Sequence, residues 1–290
     1  MPNRSLGHFD LIVMGAGSAG ACAAIAAARS GSKVLVIDRL PFIGGTSTAV
    51  LDTFYGFYTP GEKAKKIVGG IPDDVVNGLK KFGSMIERPN TYGAGTGVTY
   101  NAEHLKVVWE SLIIKSGAKI LLHSLLQQVK VLDGRVQELI LATRAGLCSV
   151  TGDFFIDATG DADLSNFAGF GYEKAGEIAP AQTLTTTFKM VNVDLVERKK
   201  IQKEQLHQLM QEATENGYEL PRKEGSDHIT PVANTTATVM TRLDSVRKNS
   251  KGEIESVLDD PFFLTESEIA GRKQAAEYAR FLVDKVPGYK

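Results

Sequence analysis

The chain has 290 residues, 43% of them hydrophobic and 23% charged, with a net charge of −1. That is the composition of an ordinary globular protein with material for one large or two moderate domains. The near-neutral balance gives no electrostatic case for nucleic acid or an anionic membrane as partner. The two cysteines, Cys22 and Cys148, lie far apart with no CxxC, which argues against a dithiol centre or a metal cluster. Met1 to His8 is polar and no apolar run reaches membrane-spanning length, so a reducing cytoplasm is the default location.

The most informative stretch is Phe9 to Asp38. Leu11 to Met14 is a short apolar run bounded by glycine and predicts a buried parallel strand. Gly15-Ala16-Gly17-Ser18-Ala19-Gly20 follows, then the alanine-rich run Ala21 to Ala28, whose small side chains suit a helix packed close to a sheet. Val34 to Ile37 predicts a second buried strand, and Asp38 stands at its end. This order is that of a dinucleotide-binding unit. The first glycine allows a tight turn, the second lets backbone approach a pyrophosphate, and the third lets helix and strand pack closely. The positive helix end favours the phosphate charge, and Asp38 is placed to accept hydrogen bonds from an adenosine ribose.

Beyond Asp38 comes Arg39-Leu40-Pro41-Phe42-Ile43-Gly44-Gly45-Thr46-Ser47-Thr48, a glycine pair with a hydroxyl run behind it. With GAGSAG, Asp38 and Gly44-Gly45 together, the sequence resembles the glutathione-reductase-type flavoproteins, which bind FAD on a Rossmann-like domain. The resemblance implies FAD contacts at Gly15, Ala16, Gly17, Ser18, Ala19, Gly20, Asp38, Arg39, Gly44, Gly45, Thr46, Ser47 and Thr48. No histidine stands in the glycine-pair region, which implies non-covalent FAD.

Asp52 to Tyr58 (DTFYGFY) is aromatic-rich and either lies beside an isoalloxazine ring or packs as a hydrophobic loop. Lys63 to Lys66 reads as a solvent-facing basic run, and Asp73 to Phe82 as a helix with acids in its first turn and lysines in its last. Gly93-Ala94-Gly95-Thr96-Gly97 lacks the flanking strand and helix of a phosphate loop and reads as a plain loop. Asn101 predicts a cap for a helix carrying Leu105, Val108, Leu112 and Ile113, closed by Gly117.

Strand patterns then take over: Ile120 to Leu122, Leu125 to Leu132, Val136 to Ala142 and Cys148 to Ile156, with Asp133-Gly134 as a hairpin turn. In the flavoproteins resembled here, a β-meander crosses the Rossmann core and returns through an Ala-Thr-Gly segment near the cofactor. Ala158, Thr159, Gly160 and Asp161 match that segment, and the hairpin places the adenine-contacting backbone at Leu126. The form IDATGDADL is similar to a subgroup related to the fumarate reductase flavoproteins. Asp161 and Asp163 also admit a metal or acid–base reading, but carboxylates so spaced in a turn are more often a cap for the next helix.

Past Gly171 the pattern changes. Thr183 to Val191 and Val232 to Met240 alternate as strands, Asp194 to Asn216 reads as one charged helix closed by Gly217, and Thr265-Glu266-Ser267-Glu268 as a capping box opening a helix to about Val286. The expected fold is thus α/β: residues 1–175 a Rossmann-like FAD-binding domain with a β-meander, and residues 176–290 an α+β substrate domain. The final strand with which such flavoproteins return to the first domain is not found, which implies a shortened form, with self-association or a completing chain to cover what is left open.

The expected function is that of an oxidoreductase passing a hydride between a small organic substrate and FAD. Arg242 and Arg272 are candidates to clamp a substrate carboxylate or are surface ion pairs, His228 in a polar loop could donate or accept a proton but reads more simply as an exposed histidine, and no catalytic residue is assigned. An NAD-binding dehydrogenase and a non-catalytic binding chain are the alternatives.

Overall fold

The structure is a computed structural model that describes residues 4–51, 54–59, 65–89 and 96–289. The chain forms two compact units, Met1–Tyr172 and Glu173–Lys290.

The first unit is built on β1 (Arg4–Met14), α1 (Ser18–Arg29) and β2 (Val34–Ile37), followed by a single helical turn, α2 (Thr46–Ala49). Next come β3 (Phe54–Gly56), α3 (Ile71–Lys81), β4 (Met85–Pro89), β5 (Thr96–Tyr100), α4 (Ala102–Ser116) and β6 (Lys119–Leu121). The meander is β7 (Leu125–Leu132), β8 (Arg135–Thr143) and β9 (Gly146–Asp157), and α5 (Asp163–Phe167) closes the unit. The main sheet runs β6-β2-β1-β9-β8-β7; β6, β2, β1 and β9 are parallel, and the β9-β8 and β8-β7 pairs of the meander are antiparallel. Because successive strand residues face opposite ways, Val13 and Ile12 belong to different layers. Val13, Val34 and Val36 pack with Ala21, Ala24 and Ile25 of α1 and Leu105 and Ile113 of α4. On the other face, Ile12, Leu35 and Ile37 meet Leu126, Leu139, Leu141 and Val150 of the meander. The hairpin between β7 and β8 turns on Asp133 and Gly134, both with positive φ (50° and 72°), the backbone that an Asp-Gly pair favours.

Several expectations needed correction here. β1 begins at Arg4, because its N-terminal half pairs with β9. Thr96 and Gly97 open β5 rather than sitting in a loop, and β5 is the centre of a second, antiparallel sheet β3-β5-β4. Gly93 to Gly95, Asp52, Thr53, Lys63 and Ala64 lie outside the described residues.

The second unit is α+β: β10 (Phe188–Met190), α6 (Leu195–Arg198), α7 (Lys203–Glu215), β11 (Ser226–Ile229), β12 (Thr236–Val239), β13 (Val246–Lys248), β14 (Ile254–Ser256) and α8 (Pro261–Lys285). Strands β10-β12-β11 form an antiparallel sheet, and Leu206 and Met210 of α7 pack with Tyr278, Phe281 and Leu282 of α8. The alternating stretches 183–191 and 232–240 shorten to β10 and β12. The single charged helix is broken: Asp194 caps α6, and the Arg198 guanidinium donates to the Ile201 carbonyl at 2.7 Å, holding a turn before α7 starts. α8 opens at Pro261 under an Asp260 cap, and the Thr265 hydroxyl donates to the Pro261 carbonyl instead of starting the helix.

An ionic latch lies inside this unit. Arg198 donates twice to Asp227 on β11, at 2.8 and 2.5 Å, with the two side chains 12% and 5% exposed. The Tyr289 phenol also donates to Asp227 and lies 2.9 Å from the Thr236 hydroxyl. Burial, reinforced by the Asp227 carboxylate, pushes that phenol far above its ordinary value, so it stays a donor. Removing one partner leaves a buried charge uncompensated. Asp227→Ala is therefore expected to cost about 3–5 kcal/mol in urea unfolding of the second unit, and the apolar pair Arg198→Met with Asp227→Leu to recover most of it.

Candidate cofactor site

The site is built where three chain segments converge. β1 ends at Met14, whose carbonyl accepts from the Ala158 N–H at 2.8 Å, so the Ala-Thr-Gly segment is tied to the glycine turn. A Cβ on Gly15 would stand 2.2 Å from the Ala158 carbonyl oxygen, and Gly15 has φ +95°. A Cβ on Gly20 would stand 1.9 Å from the Gly15 carbonyl oxygen. Gly17 differs: its added Cβ would meet only the Gly45 Cα, at 3.9 Å. Gly15 and Gly20 are small because protein fills the space beside them, whereas the space beside Gly17 is open.

The second glycine loop docks on the first. The Gly44 N–H donates to the Ala16 carbonyl at 2.8 Å, Gly17 and Gly44 form a parallel bridge, and a Cβ on Gly45 would lie 2.8 Å from the Gly17 Cα. Ser47 and Ser18 hydroxyl oxygens are 2.9 Å apart. Thr46 and Ala19 are exposed beside them. Thr48 does not join this face: it is buried, and its hydroxyl donates to the Ile43 carbonyl at 2.8 Å, holding the loop from within.

Asp38 is buried, and both carboxylate oxygens accept backbone N–H groups, from Ala16 at 2.6 Å and Leu40 at 2.8 Å. Its backbone carbonyl accepts from the Ser124 N–H at 3.0 Å, which brings the start of β7 alongside. There a cavity of about 330 Å³ opens, lined by Arg39, His123, Leu125, Ala142, Thr143 and Arg144. The Leu126 side chain is turned into the core, so only its backbone is available on this side.

At the other end, Asp157 accepts from the Thr159 hydroxyl and N–H and from the Ser165 hydroxyl and N–H. Burial pushes its carboxyl up, but these bonds outweigh burial and hold it below its ordinary value. Thr159 in turn accepts from the Asp163 N–H at 2.8 Å. The start of α5 is thus held by Asp157 and Thr159; neither Asp161 nor Asp163 caps it, because Ala162 takes the cap position with φ 57°. Gly160 has φ 89°, and Asp161 is exposed. The Asp163 carboxyl is raised, mainly by burial and then by Asp161 and Asp157, with Arg39 opposing.

Sequence reasoning missed two residues. Tyr55, on β3, has its phenol oxygen 2.9 Å from the Ser18 hydroxyl, and Tyr100, on β5, donates to the Ser47 carbonyl at 3.1 Å. The aromatic run pointed toward the site, but the hydroxyl pairing depends on a sheet not read from the sequence. In the second unit, Arg272 pairs with Glu268 at 2.8 Å on an exposed helix face. His228 is half-buried on β11, not in an exposed loop. Arg242 is exposed and lines a cavity of about 430 Å³ with Leu243, Asp244, Phe263, Glu266 and Gln274 among its neighbours.

Residues 10–290 match the family described as FAD dependent oxidoreductase, and the chain belongs to it. FAD is the cofactor of that family. Over 80 residues the chain is 38% identical to a fumarate reductase (cytochrome) of Shewanella frigidimarina, a match covering 28% of this chain and 14% of that protein. In structure, p-nitrophenol 4-monooxygenase PnpA from Pseudomonas putida DLL-E4 is similar with a TM-score of 0.53 at 14% identity, over 98% of this chain and 64% of that one. The chain therefore spans less than two thirds of either protein, and the second likeness is one of fold alone. Among the described residues no helix is long and apolar enough to cross a membrane.

The contrast among the glycines is testable by stability alone. Gly20→Ala is expected to cost roughly 1–3 kcal/mol through overpacking against backbone. Gly17→Ala should leave the thermal midpoint within about two degrees, since changes with no clash stay within about ±0.5 kcal/mol.

Proposed function

We propose that the first unit holds FAD non-covalently through its diphosphate and adenosine portions, and that the protein oxidises or reduces a small organic substrate by hydride transfer. One observation carries this reading. Gly17 faces open space at the start of α1, a helix with no side-chain cap and no acid in its first turn. Unpaired N–H groups and the positive helix end favour an anion there. Ser18, Ala19 and Gly20 supply N–H groups, and Gly44, Gly45, Thr46 and Ser47 border the same opening. Asp38 is suited to a ribose: each oxygen accepts one backbone N–H and keeps lone-pair capacity for a hydroxyl. Arg39 and Leu125 border the cavity suited to adenine, and the backbone of Leu126 is next along the chain. Ala158 and Thr159 stand against the turn at Gly15, and they with Gly160 and Asp161 are read as the segment that returns to the cofactor.

FAD in such a site supplies reversible acceptance of a hydride or electron pair. The α+β second unit is read as the substrate-bearing unit. The reading is tested by the visible spectrum of the purified chain after incubation with excess FAD and desalting. A retained flavin band that disappears in a folded Gly17→Val variant is the expected outcome. A wild-type chain that retains none, and shows no FAD affinity by titration, would sink the proposal.

We also propose self-association through β9. Among the described residues, Gly152 to Asp157 pair only with β1, and Phe154 is 70% exposed. An unpaired edge beside apolar surface is a template for another chain. Sedimentation velocity over a range of concentrations should show species above the monomer, reduced in Phe154→Glu; a monomer throughout would end this idea.

A further inference from the structure

The hydroxyl cluster over the start of α1 has more donors than it uses. Ser18 Oγ lies 2.9 Å from both Ser47 Oγ and the Tyr55 phenol oxygen. Three hydroxyls bring three protons to two contacts, so one O–H is left over. The direction of one contact follows from acidity. A phenol, with an ordinary pKa of about 10, is a much better donor than a serine alcohol, so Tyr55 donates and Ser18 accepts. The leftover proton then belongs to a serine, Ser18 or Ser47, at the uncapped end of α1.

Tyr55 is well held for this task. Its ring lies 4.7 Å from that of Tyr100 and 5.4 Å from that of Phe57, and Tyr100 is itself fixed to the Ser47 carbonyl. The ring packs against the core that also holds α1. β3 and β5 thus present a rigid phenol to the glycine loop, and the phenol determines which way the serine hydroxyl points.

We infer that Tyr55 is a positioning residue for the cofactor diphosphate, orienting a serine O–H of the Ser18–Ser47 pair toward a phosphate oxygen at the start of α1. This rests on the FAD reading of the same site. Hydrogen bonds from neutral donors to a charged oxygen are among the stronger ones, and orienting the donor beforehand avoids ordering it on binding.

The test is calorimetric titration of the wild-type chain, Tyr55→Phe, Ser18→Ala and the double variant with ADP, and with adenosine, which keeps the base and ribose but lacks the diphosphate. Tyr55→Phe retains the ring and its stacking, and Ser18→Ala removes the same bond from the other side should the first variant fold poorly. ADP affinity is expected to fall about three- to tenfold in Tyr55→Phe, the worth of one hydrogen bond. Adenosine affinity should be unchanged, and Tyr55→Phe should add little in the Ser18→Ala background. If the wild type binds ADP and Tyr55→Phe binds it equally, the inference is wrong while the FAD reading stands. Equal losses for ADP and adenosine would reduce Tyr55 to a structural role and overturn the inference as well. A wild-type chain that binds neither ADP nor FAD would remove the FAD reading and this inference together.

Discussion

The turn from β1 into α1 runs so close to the end of β9 that Gly15, Gly20 and Ala158 share a volume with no room for another carbon. That crowding brings the first turn of α1 under the glycine loops. The N-cap residue is Gly17, which has no side chain to cap with even though the space beside it is open. The other described helices of eight residues or more all have a side-chain acceptor at their start. Asp73 reaches the Gly70 N–H before α3, Asn101 caps α4, Gln205 reaches the Gln202 N–H at α7, and Asp260 caps α8. Glycine in place of a polar cap costs only a few tenths of a kcal/mol, so the exception is inexpensive. What it leaves is a helix end whose first turn has no side-chain acceptor.

The same crowding links the two loops that would meet a cofactor. Asp38 accepts the Ala16 N–H, and the Ala16 carbonyl accepts the Gly44 N–H, so one buried carboxylate, one peptide unit and the second glycine loop are joined in series. An aspartate is one methylene shorter than a glutamate. Here its reach is taken up by backbone on both oxygens, Ala16 on one and Leu40 on the other, so a single buried side chain ties the glycine turn after β1 to the segment that follows β2.

Much of the first unit was legible because its signals are local. A buried β2 of four residues, the Asp133-Gly134 turn and the Asn101 cap each depend on neighbours in sequence, and each was read to within a residue or so. What was missed depends on partners far along the chain. β3 pairs with β5 across more than forty residues, and neither short strand announces itself by alternation. Three of the four residues of β11 are polar, and its Asp227 faces Arg198 and Tyr289 instead of apolar neighbours. The Thr265 capping box is a real motif in the wrong register: Asp260-Pro261 opens the helix one turn earlier. At the site itself, the glycines were visible from their order, but the inward turn of Thr48 and the reach of Tyr55 were not.

The acids around the returning segment follow a related division of labour. Asp157 is committed to four hydrogen bonds, all from Thr159 and Ser165, and is held ionised. Asp163 has no such set of donors and its carboxyl is raised, with Arg39 the opposing charge. Arg39 therefore belongs to two neighbourhoods: it lines the cavity beside β7 and it opposes the rise of the Asp163 carboxyl. One acid is thus consumed by hydrogen bonds, one is biased toward its neutral form with Arg39 as the opposing charge, and Asp161 is exposed to solvent, so the ordering of this turn rests on the hydrogen bonds of Asp157 and not on a row of bare charges.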